Sequence, residues 1–137
     1  MKIAVRYYTR SGNTKKVALA IAEALNVEAH DLTVPLEEKT DALFLGNSMY
    51  AFNIDETVKK FLEENCDKIG TLYNFGTAAS PASTYKKVKK VATGLGIAMG
   101  EEEFHCYGKF GGLHKKRPDE NDLKKAAAFA TAAIEKL

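Results

Sequence analysis

The sequence predicts one three-layer α/β domain, in which helices cover both faces of a five-stranded parallel β-sheet. Three observations lead to this prediction. Short β-rich segments alternate along the chain with segments that place apolar residues at helical spacing. The segment DALFLGN (41–47) is nearly all apolar, as expected of a strand buried on both faces. The length of 137 residues suits a single domain, which we assign to residues 1–137.

Five segments are predicted to be strands. KIAVRYY, near the N-terminus, is short and rich in β-forming residues. VEAHDL alternates between apolar and polar residues, which predicts an outer strand, and no helical segment separates it from DALFLGN. The predicted strands are residues 2–8, 27–32, 41–47, 71–76 and 103–108.

Four segments are predicted to be helices, because each has apolar residues along one face. Ser83 is predicted as the N-cap of the third helix, and Asp119, which follows Pro118, as the start of the fourth. The apolar faces consist of Val17, Ala18, Ile21 and Leu25 in the first helix, Val58, Phe61 and Leu62 in the second, Tyr85, Val88, Val91, Ala92 and Leu95 in the third, and Leu123, Ala126, Ala127, Ala130, Ile134 and Leu137 in the fourth.

The order of these elements predicts right-handed βαβ connections and the doubly wound strand order 2-1-3-4-5. In such a sheet, ligands bind at the carboxyl ends of the strands, near the switch point between strands 1 and 3. The loops at residues 9–14, 47–54, 76–83 and 109–118 therefore open on one edge, where we expect the functional site.

Charge and composition exclude several classes of function. The net charge is +2 with both signs interspersed, which does not indicate a nucleic-acid partner. No segment approaches the roughly 18 apolar residues of a membrane span, and the N-terminal segment lacks the features of a signal peptide. We therefore expect a cytoplasmic protein with no membrane partner. Cys66 and Cys106 lack metal-ligand or disulfide spacing, so we expect small apolar fillers and no metal site.

The segment YYTRSGNTKKVA (7–18) joins the first strand to the first helix. Its side chains offer hydroxyl and amide donors, and Gly12 allows a tight turn. The start of the helix adds unpaired N–H groups and the positive end of the helix dipole. These features suit either an ordinary capped turn or a cradle that holds a phosphate monoester by neutral donors. The phosphate motifs G-x-x-x-x-G-K-[ST], G-x-G-x-x-G and Cys-x5-Arg are absent.

The same segment resembles the FMN phosphate-binding signature of flavodoxins. That signature has a hydroxyl residue, a small residue three positions later, a threonine two further on and an alanine four after that. Thr9, Gly12, Thr14 and Ala18 match it, whereas Arg6 stands where an apolar residue or tyrosine is usual. The resemblance implies a flavodoxin-like three-layer sandwich with the sheet order 2-1-3-4-5. The implied phosphate site consists of Thr9, Arg10, Ser11, Gly12, Asn13 and Thr14.

The resemblance also implies where the flavin ring lies. In flavodoxins the loop after the third strand packs an aromatic or methionine side chain against the ring, and Tyr50 is the matching candidate. The alternative is that Tyr50 only fills the edge of the core. Small residues after the fourth strand would let backbone N–H groups reach the pyrimidine oxygens. The implied ring contacts are Met49, Tyr50, Ala51, Phe52 and Asn53 in the first of these loops and Thr77, Ala78, Ala79 and Ser80 in the second.

A basic rim follows the fifth predicted strand, where flavodoxins are usually strongly acidic. It consists of Lys109, Lys115, Lys116 and Arg117. One interpretation is a solvated loop. The other is a docking surface for an acidic redox partner protein or a phosphorylated nucleotide.

The function implied by the resemblance is that of an FMN-binding electron carrier, monomeric or weakly dimeric, that serves redox partner proteins and needs no catalytic side chain. An alternative is an FMN-dependent NAD(P)H:quinone-type reductase, although the chain leaves little room for the inserted segment of such enzymes. A cofactor-free binding module on the same fold is a third possibility. A phospho-receiver is excluded, because Tyr8-Thr9 and Asn47-Ser48 stand where acidic residues are needed.

Overall fold

Five parallel strands form one sheet in the order β2-β1-β3-β4-β5, as predicted. The computed structural model describes residues 1–50, 53–79, 82–109, 112 and 114–137. The strands are β1 (Ile3–Tyr7), β2 (Ala29–Asp31), β3 (Thr40–Ser48), β4 (Ile69–Ala78) and β5 (Ala98–Tyr107).

Two layers of helices cover this sheet. The helices are α1 (Asn13–Leu25), α2 (Glu56–Asn65), α3 (Tyr85–Gly94) and α4 (Glu120–Lys136). α1 and α4 pack on one face, over a core that includes Val5, Phe44 and Phe75. α2 and α3 pack on the other face, over Leu43 and Leu72. The three-layer arrangement is therefore confirmed.

The segment 32–39 joins β2 to β3 without a helix, as the sequence predicts. Arg6 of β1 anchors this segment to the sheet, because its side chain donates hydrogen bonds to the carbonyl oxygens of Val34 (2.8 Å) and Pro35 (3.3 Å). Arg6 is only 8% exposed, and burial lowers the pKa of its guanidinium. The departure of Arg6 from the flavodoxin signature thus has a structural cause.

Three details differ from the sequence-based predictions. β5 begins at Ala98 and not at residue 103, because a run of glutamates in an edge strand lacks the apolar pattern of a buried one. Leu137 is 46% exposed, since it lies just beyond the last residue of α4. The N-cap of α3 is Thr84, although Ser83 Oγ accepts a hydrogen bond from the Tyr85 N–H at 3.1 Å.

Both cysteines are free and pack among apolar residues. Cys106 is buried in the core beneath α1 and α4, and this burial raises the pKa of its thiol to about 12. Cys66 is half-buried and packs against the core on the other face of the sheet. Among the described residues, no group of three or more His, Cys, Asp or Glu side chains is placed to hold a metal ion. In the same parts of the chain, no helix is long and apolar enough to span a membrane.

Candidate functional site

The carboxyl ends of the strands lie side by side and define the edge at which the loops meet. Tyr7 at the end of β1 is paired with Gly46 of β3, and Ser48 at the end of β3 with Thr77 of β4. Ala78 of β4 is paired in turn with the last residue of β5. The loops that follow β1, β3, β4 and β5 consequently project from one edge, as predicted.

The loop after β1 leaves the start of α1 open. Gly12 adopts φ +90°, a left-handed conformation that favours glycine, and its N–H donates to Thr9 Oγ1 at 2.9 Å. No side chain of the described residues caps α1, whereas Asp55 and Asp119 accept hydrogen bonds from N–H groups in the first turns of α2 and α4. The positive end of the α1 dipole therefore faces this loop without a compensating carboxylate.

Three buried hydroxyl groups meet beneath that loop. Thr14 Oγ1 lies 2.7 Å from Ser48 Oγ and 2.9 Å from Thr77 Oγ1, and the latter two oxygens are 3.1 Å apart. All three residues are less than 9% exposed. This hydroxyl triangle ties the start of α1 to the ends of β3 and β4. Ser48 was not predicted to belong to the site, because its partners are distant in sequence.

Asn13 links the first loop to the loop after β5. Its Nδ2 donates to the carbonyl oxygen of Lys109 at 2.8 Å. The backbone passes so closely that a Cβ on Gly108 would lie 2.7 Å from Asn13 Nδ2. The loops after β1 and β5 are therefore in contact.

Arg10 lies against the loop after β3. Its guanidinium carbon is 3.8 Å from the centroid of the Tyr50 ring, and Nη2 donates to Asp55 Oδ2 at 2.8 Å. The Asp55 carboxylate and the Tyr8 hydroxyl raise the pKa of Arg10 above its usual value. Hydrogen bonds from Thr57 and Arg10 hold the pKa of Asp55 well below its usual range. Arg10 is thus an exposed cation that is paired with Asp55 and in contact with Tyr50.

Two of the predicted ring-binding residues of the loop after β3, Tyr50 and Asn53, are paired through their backbones. The backbone N–H and carbonyl groups of Tyr50 and Asn53 exchange hydrogen bonds of 2.7 and 2.9 Å. Met49 and Tyr50 are half-buried. Ala51 and Phe52 of this loop, and Ser80 of the next, lie outside the described residues.

A histidine that sequence reasoning did not assign to the site supports the loop after β4. His114 Nε2 lies 3.0 Å from the carbonyl oxygen of Ala79, so the bond requires the proton on Nε2. The His114 ring also stacks on Tyr107, with 4.1 Å between centroids and 14° between planes. His114 therefore connects the loop after β5 to the loop after β4.

A second polar network lies on the opposite side of the sheet, under the start of α3. Asn47 Nδ2 donates to Asn74 Oδ1 at 2.8 Å, and Asn74 Nδ2 donates to Thr84 Oγ1 at 3.0 Å. All three residues are fully buried. This network was not predicted either, and it fixes the N-terminus of α3 to the ends of β3 and β4.

Only some of the positively charged side chains of the basic rim lack an ion-pair partner among the described residues. Lys109, Lys115 and Lys116 are exposed, and no ion pair involves them in the described parts of the chain. Arg117 instead binds Asp122 through two hydrogen bonds of 2.5 and 2.6 Å. The unpaired positive charge of the rim is therefore carried by three lysines, and Arg117 orders the loop that bears them.

Comparison with known proteins identifies the family. A model of the flavodoxin domain matches residues 4–128. A protein of Methanocaldococcus jannaschii, itself uncharacterised, is 29% identical in an alignment of length 135 that covers 89% of this chain and 90% of the relative.

Two solved structures show the same fold. A flavodoxin from the domain Archaea superposes with a TM-score of 0.82 at 20% identity, over 99% of this chain and 98% of its own. Oxidised flavodoxin 1 from Bacillus cereus superposes with a TM-score of 0.74 at 21% identity, over 100% of this chain and 99% of its own. Since the family model spans nearly the whole sequence, the chain belongs to the flavodoxin domain family.

Proposed function

We propose that this flavodoxin-family protein binds FMN and carries electrons between redox partner proteins. The observation that supports this most strongly is the uncapped start of α1, which lies at the loop with the phosphate-binding signature. A phosphate monoester supplies the negative charge that such a helix terminus favours. Bound FMN would supply the redox chemistry, while the protein binds and orients it.

The residues present fit a phosphate group. Ser11 is exposed beside the uncapped helix terminus, and Gly12 lets the backbone turn tightly into the first turn of α1, whose N–H groups have no side-chain cap among the described residues. Thr9 also offers a hydroxyl, although it already accepts a bond from Gly12. Thr14 lies in the hydroxyl triangle, so we assign it first to holding the loop and second to contacting phosphate.

The remaining loops fit a flat ring. Tyr50 presents a half-buried aromatic side chain at the end of β3. The loop after β4 carries small residues, and the bond from His114 to Ala79 orders its backbone. Together these groups would lie on either side of a ring and exclude water from it, and because the flavin itself would supply the redox chemistry, no acid or base side chain is needed.

We assign the three free lysines of the rim to the docking of acidic redox partners. The carbonyl oxygen of Lys109 accepts a hydrogen bond from Asn13, and the Lys109 N–H donates to the carbonyl oxygen of Arg117 at 2.9 Å. These bonds bring the segment that carries Lys115 and Lys116 to the side of the phosphate site. Opposite charges on a partner would steer it to this edge and increase the rate of encounter. Proximity to the edge of the flavin would then allow electron transfer.

The FMN site can be tested by titrating the apoprotein with FMN and following the flavin fluorescence. Ser11→Ala removes one exposed hydroxyl, and we expect FMN affinity to fall about tenfold to 100-fold, as for one hydrogen bond to a charged group. Thr93→Ala, at the far end of α3, is the matched control and should leave affinity unchanged. Failure of the parent protein to bind FMN would refute the proposed function.

A further inference from the structure

We propose that Arg10 and Asp55 form a rigid backing for Tyr50, which leaves only the opposite face of the ring free to receive the flavin. This inference extends the proposed FMN-binding function. It assigns Arg10 as a positioning residue and gives a role to a charge that the phosphate signature does not require. The backing consists of groups from two loops, those after β1 and β3.

The contacts around Tyr50 fix its ring on several sides. The guanidinium carbon of Arg10 lies 3.8 Å from the ring centroid, which is a direct stacking contact. Tyr8 meets the same ring edge-on, with 6.4 Å between centroids and 88° between planes. The backbone of Tyr50 is held by its two hydrogen bonds with Asn53. The orientation of the ring is therefore set before any ligand binds.

Asp55 makes the backing rigid. Its Oδ1 accepts the Thr57 N–H at 2.9 Å as the N-cap of α2, and its Oδ2 accepts from Arg10 at 2.8 Å. The Asp55 side chain is 19% exposed, whereas that of Arg10 is 54% exposed, so the ion pair is open to water on the Arg10 side. Arg10 is thus bound to a residue that is itself held at the start of α2.

The strand order indicates which face of Tyr50 stays free. β3 lies between β1 and β4, and Arg10 follows β1. Arg10 therefore reaches Tyr50 from the loop after β1, and we assign the flavin to the other face of the ring, between Tyr50 and the loop that follows Ala78 of β4. If Arg10 instead occupied the flavin position, a ligand would have to break the Arg10–Asp55 ion pair.

Three substitutions separate stacking from charge. Arg10→Lys keeps a cation near Asp55 but lacks the planar group that stacks on a ring. We expect it to weaken FMN binding at least threefold while changing the midpoint potential little. Arg10→Gln leaves the Asp55 charge uncompensated, so we expect weaker binding and a more negative potential. Asp55→Asn, which keeps an N-capping side chain, should shift the potential in the positive direction.

The double variant and a control complete the test. Arg10→Gln with Asp55→Asn removes both charges, and we expect its potential to return towards that of the parent. Lys59→Gln breaks an exposed ion pair with Glu56 on the same helix and should change neither affinity nor potential. Tighter FMN binding by Arg10→Gln would overturn the proposal, because it would show that Arg10 competes with the flavin. Unchanged affinity and potential in all Arg10 variants would overturn it too.

An NMR measurement on the apoprotein tests the backing without FMN. The δ protons of Arg10 should be shifted upfield by the ring current of Tyr50, and Tyr50→Leu should abolish that shift. Absence of the shift in the parent would contradict the stacked arrangement. If the shift is present but FMN does not bind, the proposed function fails while the stacking contact stands.

Discussion

At the scale of single residues, several polar side chains at the carboxyl edge of the sheet bind one another. The hydroxyl of Thr14 is shared with Ser48 and Thr77, and Arg10 is paired with Asp55. Such contacts place the loops before a ligand arrives, which reduces the entropy lost on binding. The sequence predicted that Arg10, Thr14 and Thr77 belong to the site, but not their bonds to Ser48 and Asp55, because these partners are far apart along the chain.

The hydroxyl triangle is tested by Thr14→Val. Valine keeps the shape of threonine and removes only the hydroxyl, so Ser48 and Thr77 each lose a buried partner. We expect the free energy of unfolding to fall by about 1–2 kcal/mol, measured by urea denaturation. Thr93→Val, on the exposed surface of α3, should change it by less than about 0.5 kcal/mol. Equal stability of Thr14→Val and the parent would show that the triangle contributes nothing.

At the scale of secondary-structure elements, the helix starts differ in their capping. α2 and α4 begin with Asp55 and Asp119, whose carboxylates accept N–H bonds, whereas α1 begins with Gly12 and has no side-chain cap among the described residues. The sequence predicted that α4 starts at Asp119, since this residue follows a proline. The start of β5 was not, because exposed edge residues such as Glu101 and Glu103 need no apolar pattern.

The cap of α2 predicts a pH dependence of stability. The pKa of Asp55 is lower in the folded protein than in the unfolded chain, because Thr57 and Arg10 bind the carboxylate. Its stabilising contribution is therefore complete above the unfolded pKa of about 3.9 and is lost as the pH falls towards the folded pKa. Asp55→Asn should be less stable than the parent at pH 6, with the difference shrinking towards pH 2 in urea unfolding. A difference that does not change with pH would contradict this assignment.

At the scale of the whole molecule, sheet order and charge distribution determine what the edge can do. The strand order follows from short strands alternating with amphipathic helices, so it could be predicted from the sequence. The net charge could also be read directly, but its distribution could not. Arg117 contributes to the predicted rim, yet it is paired with Asp122, and only the structure shows that Lys109, Lys115 and Lys116 form no ion pair with any of the described residues.

The charge of the rim predicts how fast small oxidants react with the reduced protein. In Lys115→Glu/Lys116→Glu, we expect slower electron transfer to hexacyanoferrate(III), which is anionic, and faster transfer to hexaamminecobalt(III), which is cationic. Both differences should diminish at high salt. Lys39→Glu/Lys136→Glu makes the same change in net charge at the opposite edge of the sheet and should alter both rates less. Equal effects of the two pairs would exclude a local role of the rim.

The central claim is that the loop after β1 holds the phosphate of FMN, and one comparison of ligands tests it most directly. Riboflavin has the same ring but no phosphate, so the difference in affinity isolates the phosphate site. Two or more hydrogen bonds to a charged group predict that the apoprotein binds FMN at least about 100-fold more tightly than riboflavin. Equal dissociation constants for FMN and riboflavin in a fluorescence titration would contradict the account.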